Sequence, residues 1–241
     1  MIYRFDALAS TNTQMASMAA SLGHGDVVVC REQTAGRGQR GNSWEAEPGR
    51  NLTFSLLLRP QVIMAKDAFI MSMAVSVGIT KVLRKMLGRA VSVKWPNDIY
   101  VDDRKLAGIL IENSFSGQNI GHAIVGIGLN VNQRVFRSDA PNPVSMANLA
   151  GEEFDLDGVL ASVVNGILDE FNACEKCGEY AELVKEYHSM LWRRKGVHSW
   201  HDCLTGEQIT AAISHVEPSG HLVLATNPER TYAFKEVSAI L

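Results

Sequence analysis

A chain of 241 residues has room for one or two domains and for a full hydrophobic core that needs no disulfide or metal staples. With 46% hydrophobic and 20% charged residues, and 23 basic against 26 acidic side chains (net −3), it is neither a disordered chain nor a strongly basic nucleic-acid binder. The N-terminus lacks the basic and long apolar stretches of a signal peptide. The runs Val27–Cys30 and Leu56–Leu58 fall far short of a membrane span, so the reading is a cytoplasmic protein with no membrane or DNA partner.

In chain order, Ile2–Phe5 is a short strand. Ser10-Thr11-Asn12 offers N-capping side chains before a helix over Thr13–Leu22, which Gly23–Gly25 ends. Asp26–Arg31 is a β-branched strand, followed by a glycine-rich loop at Gly36–Gly41 and a buried strand over Asn51–Arg59. Asp67–Leu87 is a long helix, because Ala68, Met71, Val75, Ile79, Val82 and Met86 recur at three- and four-residue spacing. Val91–Lys94, Asp98–Val101, Lys105–Glu112 and Gly121–Val131 are strands. A loop with Pro141 and Pro143 leads to helices at Leu156–Ala173 and Tyr180–Leu191. From about Lys195 the texture changes to short β-type runs (Val197–Leu204, Gln208–His215, His221–Ala225, Arg230–Phe234) separated by turns. The expectation is an α+β protein with a domain over residues 1–194 and a small all-β domain, a barrel or sandwich, over 195–241.

Four cysteines, at positions 30, 174, 177 and 203, are too sparse for a disulfide framework. Cys174 and Cys177 form a lone C-x-x-C inside a helical pattern, which favours reduced helical thiols over a metal or redox pair. His198, His201 and Cys203 tempt as a cluster, but along a strand His198 points away from the other two.

Three clusters carry chemistry. Gly36-Arg37-Gly38-Gln39-Arg40-Gly41 matches G-x-G-x-x-G, but another strand follows it rather than a helix, so the dinucleotide-binding reading fails on context. The kinase version fails because its partner motifs HRD and DFG are missing. What remains is a loop whose glycines permit close backbone approach and whose arginines clamp phosphate or carboxylate oxygens. The second cluster is Lys94-Trp95-Pro96-Asn97-Asp98 with Arg104-Lys105-Leu106-Ala107-Gly108. Residues 81–112 hold seven basic and four acidic side chains, a surplus that suggests an anionic small-molecule site. The third is Gly126-Ile127-Gly128-Leu129-Asn130-Val131-Asn132. Glycines within an apolar strand mark close approach of another backbone or a ligand, and the Asn130 amide suits a purine edge. Together the clusters point to a nucleotide-activating enzyme.

At these residues the sequence resembles the biotin protein ligases. The matching segments are Ser10-Thr11-Asn12, Gln33 through Trp44, Lys94–Asp98, Lys105–Leu110 and Gly126–Asn132, with KWPND followed by KLAGIL the most specific. The resemblance implies a mixed or antiparallel sheet flanked by helices, of the class II synthetase/biotin ligase type, with a C-terminal SH3-like β-barrel. It implies the formation of biotinyl-5′-AMP from biotin and ATP, then transfer of biotin to a lysine of a biotin carboxyl carrier protein or domain of a carboxylase. Mg²⁺ would enter mainly through the ATP phosphates. Lys105, Arg37 and Lys94 would be catalytic, with Lys105 at the biotin carboxyl and later at the acyl-adenylate carbonyl. Ser10, Thr11, Asn12, Gln33, Arg37, Gly38, Gln39, Lys105 and Gly108 would bind biotin. Arg37, Arg40, Trp44, Lys94, Asn97 and Asn130 would bind ATP.

Two departures matter. Gln39 and Asn42 stand where arginine is common in the family loop, which implies a weaker grip on the intermediate unless other cations compensate. Nothing but a short strand precedes Ser10, so a stand-alone ligase without a DNA-binding domain is expected. The nearest rival is a lipoate-protein ligase or related acyltransferase of the same fold. A monomer and a side-by-side sheet homodimer both fit the sequence.

Overall fold

The structure, a computed structural model, describes residues 1–38, 43–137 and 142–240, apart from the Cys177 side chain. A seven-stranded mixed sheet runs in the order β1-β2-β3-β7-β6-β5-β4. Its strands are β1 (Ile2–Leu8), β2 (Val27–Gln33), β3 (Leu52–Leu58), β4 (Ser92–Lys94), β5 (Asp98–Val101), β6 (Arg104–Ser116) and β7 (Asn119–Leu129). The β1–β2 pair is parallel and every other pair in this sheet is antiparallel.

Strand β3 sits near the middle with all of its residues buried, and its alternation divides the core in two. Leu52, Phe54, Leu56 and Leu58 face helices α2 (Phe69–Leu87), α4 (Leu156–Cys177) and α5 (Ala181–Ser189) in the larger cluster. Leu57 faces the other way and joins Met15, Ala19, Val28 and Ile124 under helix α1 (Thr11–Met18). Lys81 on α2 bridges Glu170 on α4 at 2.6 Å and Glu186 on α5 at 2.7 Å, tying the helical layer together. Glycines in the left-handed conformation, Gly88 and Gly178, terminate α2 and α4. Asp155 caps α4 by accepting from the backbone of Asp157 and Gly158.

The expected elements are largely present, with instructive shifts. Helix α1 begins at Thr11 rather than Thr13 and ends at Met18, and Ser10 occupies its N-cap position without a capping hydrogen bond. A 3-10 turn at Ala65–Asp67 replaces the expected first residues of the long helix. A short helix, α3 (Met146–Ala150), lies in what reads as a loop. It is capped by Ser145, which accepts from Asn148 N–H.

The C-terminal segment forms two three-stranded antiparallel sheets, β13-β8-β9 and β10-β11-β12. Their strands are β8 (His198–Asp202), β9 (Gln208–Ala211), β10 (Ile213–Val216), β11 (Leu222–Leu224), β12 (Arg230–Tyr232) and β13 (Val237–Ala239). This arrangement is consistent with an SH3-like unit, but no closed barrel forms among the described residues. The run expected at Gln208–His215 is two strands in different sheets, and β13 is additional. Asp202 links the sheets: the Tyr232 hydroxyl donates to its Oδ2 at 2.9 Å, while Leu204 and Thr205 N–H donate to Oδ1.

Candidate functional site

The site lies on the α1 face of the sheet, where the alternation of β3, β7 and β6 lines up two rows. Register pairs Ser55 with Gly126 and Gly126 with Leu110; one pleat on, it pairs Thr53 with Gly128 and Gly128 with Gly108. Glycines in these rows leave a trough that two side chains enter. A Cβ on Gly126 would lie 2.3 Å from Asn12 Oδ1, and one on Gly128 would lie 2.2 Å from Trp44 Cε2. Contacts this short are forbidden, so these glycines exist for Asn12 and Trp44. Protein side chains make a close approach at both glycines, and both also line the cavity.

Beside Gly126 is a pocket of uncharged polar groups. Gln33 Oε1 accepts from Thr11 N–H at 2.8 Å and from Thr11 Oγ1 at 3.2 Å, leaving Nε2 as the donor available to a ligand. Ser55 Oγ donates to Asn12 Oδ1 at 2.6 Å and stands 2.8 Å from Thr11 Oγ1. Asn12 Nδ2 donates to Glu112 Oε2 at 2.7 Å and reaches Leu110 O at 3.4 Å. Asn12 is 3% exposed, lines the cavity, and bonds Ser55 and Glu112 through its amide. Ser10 presents a hydroxyl that caps no helix N–H. The helix-capping role expected of Ser10, Thr11 and Asn12 is not taken, because Thr11 and Asn12 are drawn into this network.

The cations gather along the same face. Lys105 Nζ pairs with Asp98 Oδ1 at 2.7 Å and lies 5.7 Å from the Trp44 ring centroid. Arg37 reaches Thr13 Oγ1 at 3.3 Å and Glu112 at 3.5 Å, both half-exposed contacts of little strength. Lys94 donates to the Tyr100 hydroxyl at 3.0 Å. Burial pushes the Lys94 ammonium below the ordinary lysine range; Asp98 opposes this, while Lys105 and Arg193 add to it. The wider basic surplus does not converge here. Lys81 bridges helices on the opposite face, and the Arg84 side chain donates to Val91 O at 2.8 Å. The helix and the strands of residues 81–112 face different ways, which sets Lys81 and Arg84 apart from Lys94 and Lys105.

The cavity holds about 510 Å³, within the usual range of small-ligand sites. Ser10, Thr11, Asn12, Gln33, Arg37, Gly38, Trp44, Lys94, Asn97, Lys105 and Gly108 all line it. Asn97 does so while its Nδ2 donates to Ile109 O at 2.5 Å. Gln39, Arg40 and Asn42 lie outside the described residues. Asn130 does not line the cavity: it is 3% exposed and its Nδ2 donates to Val144 O at 3.1 Å. Its Oδ1 and the Trp44 Nε1 are buried without hydrogen-bond partners among the described residues. No cluster of three or more His, Cys, Asp or Glu suited to a metal occurs among the described residues, and no helix there is long and apolar enough to cross a membrane.

Sequence reasoning missed several contributors. Ser55, a polar residue inside an apolar strand, was a legible signal, as was Asp98 within its motif. Glu112 gave none. Nor did the C-terminal wall of the cavity, made by Trp200, Cys203, Leu222, Phe234 and Ser238 among others. That wall is held in place by Trp95, whose Nε1 donates to Gly220 O at 2.9 Å.

Comparison with known proteins gives a consistent picture. The pattern of the Biotin/lipoate A/B protein ligase family matches residues 5–130. The bifunctional ligase/repressor BirA of Bacillus subtilis is 32% identical over 170 residues, which are 68% of this chain and 51% of that protein. The biotin–[acetyl-CoA-carboxylase] ligase of Paracoccus denitrificans is 36% identical over 155 residues, 61% of this chain and 62% of that one. The chain's match thus spans about half the length of the first of these relatives. Among solved structures, the biotin protein ligase of Aquifex aeolicus in complex with biotin and ATP superposes with a TM-score of 0.82 at 23% identity, covering 98% of this chain and 97% of that one. The Helicobacter pylori biotin acetyl coenzyme A carboxylase synthetase gives 0.63 at 24%, covering 96% and 99%. At such identities these likenesses speak for the fold.

Proposed function

Since the chain belongs to the Biotin/lipoate A/B protein ligase family, we propose that it is an ATP-dependent biotin–protein ligase. It makes biotinyl-5′-AMP from biotin and ATP and passes the biotinyl group to a lysine of a biotin carboxyl carrier protein or domain. The observation that carries this reading is the continuity of one cavity. An uncharged hydrogen-bonding pocket lies beside Gly126, Trp44 lies against Gly128 one pleat (roughly 7 Å) further along β7, and Lys105, Lys94 and Arg37 line the same cavity.

The ureido head of biotin both donates and accepts, which suits the Ser10 hydroxyl and Gln33 Nε2. In the first step a carboxylate oxygen attacks the α-phosphorus, a P–O bond forms, and pyrophosphate leaves with the electron pair of the broken bond. Two anions must meet, so preorganised positive charge is the main requirement. Lys105 serves the carboxylate, held by Asp98 so that little reorganisation is needed. Arg37 and Lys94 serve the phosphates. Trp44, which lines the cavity, offers its ring to the nucleotide. Asn130 would reach adenine through its Oδ1, which has no partner among the described residues and suits an amino donor, only if the side chain becomes accessible. In the second step the carrier amine attacks the carbonyl of the mixed anhydride, and AMP departs. Mg²⁺ fits this donor set as an ion brought on the ATP phosphates, where it would offset their charge; no residue here is assigned to it. The division into a catalytic domain over 1–194 and a C-terminal domain over 195–241 belongs to the same reading, with the second unit walling the cavity.

The test is incubation with ATP, biotin and a carrier domain, followed by avidin blotting and titration calorimetry with biotin and with lipoate. Biotinylation and biotin binding are expected, and Lys105→Ala should lower adenylate formation by at least about 100-fold, the scale of losing one transition-state contact. Binding and transfer of lipoate in place of biotin would overturn the substrate assignment.

A further inference from the structure

Lys105 and Lys94 line the same cavity in opposite electrostatic states. Lys105 has a carboxylate in contact, Asp98 at 2.7 Å. Among the described residues Lys94 has no carboxylate within ion-pair distance, and aromatic groups surround it instead. Its Nζ donates to Tyr100 Oη at 3.0 Å, and it lies 4.7 Å from the Tyr100 ring centroid and 5.4 Å from that of Trp192.

The two rings are firmly placed. Tyr100 is 1% exposed, lies on β5 and pairs with Ser92 and Lys105 on the flanking strands. Trp192 follows α5 where the chain leaves the helical layer. Its N–H donates to Val93 O at 2.8 Å, beside Lys94, and its Nε1 donates to Asp103 Oδ1 at 3.0 Å. The ring centroids of Tyr100 and Trp192 are 5.6 Å apart. Arg193 covers the Trp192 ring at 4.2 Å.

We propose that Tyr100 and Trp192 are positioning residues that cradle Lys94, keeping its ammonium charged and aimed into the cavity to receive the phosphates of the nucleotide. A buried lysine tends to give up its proton, and a carboxylate that prevented this would also cancel the field the phosphates must feel. Aromatic faces and a phenol oxygen stabilise the cation without cancelling its charge. Burial works against the charge of Lys94, and the aromatic cradle works for it. The charged and titratable groups facing it are Asp98, Lys105, Arg193 and Tyr100; Asp103 stands behind Trp192 and acts on Tyr100, and Lys235 of the C-terminal unit lines the same cavity. The phosphate-binding role rests on the ligase reading, whereas the cradle itself rests on geometry.

The experiment is a ¹³Cε-lysine NMR titration of the ligand-free full chain, with calorimetry of inorganic pyrophosphate and of biotin at pH 9. Tyr100→Phe keeps the ring and removes the acceptor. It should lower the Lys94 titration midpoint by about one pH unit, the scale of one hydrogen bond to a charged group. Pyrophosphate binding at pH 9 should weaken, by up to about tenfold, with biotin binding unchanged. Trp192→Leu should shift the midpoint in the same direction. An unmoved midpoint in Tyr100→Phe overturns the cradle, even if Trp192→Leu does not fold. Equal loss of pyrophosphate and biotin binding also overturns it, as general damage to the site. A wild-type chain that binds neither biotin nor ATP removes the ligase reading, while the Lys94 titration still decides the cradle.

Discussion

At the scale of single residues, the site depends on side chains that touch no substrate. Glu112 on β6 receives Asn12 Nδ2 and stands near Arg37, joining the polar pocket to the start of the glycine loop. Glu112→Ala would leave the buried Asn12 amide without its main acceptor, a loss of about 1–3 kcal/mol. Biotin affinity by calorimetry should then fall by roughly tenfold or more with the fold retained. Glu112→Gln keeps an acceptor and should stay close to wild type. Equal affinity in both variants would show that Asn12 needs no such support. The motif residues were legible because chemistry restricts their types: a lysine for a carboxylate, arginines near glycines for phosphate. Their internal commitments were not legible. Nothing in the sequence says that Asn12 is bound to Glu112, 100 residues away, or that the Asn130 amide turns toward Val144.

At the scale of elements, periodicity located the strands and long helices, because a two-residue or 3.6-residue apolar repeat needs only its own segment to be visible. Ends and short pieces escaped. Helix α3 has five residues, too few to show a repeat, and the strands after residue 195 have three to five. The crossing of α2 and α4 was equally hidden. A Cβ on Gly78 would lie 2.5 Å from Gly166 O, so the backbones meet where two glycines coincide. Gly78→Ala should therefore destabilise the protein by about 1–3 kcal/mol despite alanine's better helix propensity, because the obstacle is backbone and cannot rotate away. Urea unfolding midpoints would show this. A stabilised variant would mean that the two helices slide apart without loss.

At the scale of the whole molecule, the C-terminal sheets are joined to the helical layer partly through His188 of α5. Val216 N–H donates to its Nε2 at 3.0 Å. Burial pushes His188 below the usual imidazole range. Val216 O, 3.1 Å from the same nitrogen and able to accept from the protonated ring, works against this, while Arg194 and His215 work with it. The unfolded chain therefore takes up the proton first as pH falls. Stability from this group is complete above about pH 6.5 and declines below it until the folded-state midpoint is passed. The urea midpoint should drop between pH 7.5 and 5.5, and His188→Gln should flatten that drop. An unchanged slope in the variant would assign the dependence to other groups.

The sequence by itself determined the α+β class, the order of the strands along the chain and the chemical types the site uses, because alternation, helical period and residue chemistry are all local. Tertiary structure decided which charges meet and which glycines make way for Asn12 and Trp44. It also turned Lys81 to the far face and placed the last 40 or so residues as a wall of the cavity. Those outcomes depend on strand register and on faces paired across long separations. The net charge of −3 illustrates the difference: it sums over faces that the fold sets apart, and the cavity's field comes from the few cations that the sheet brings together.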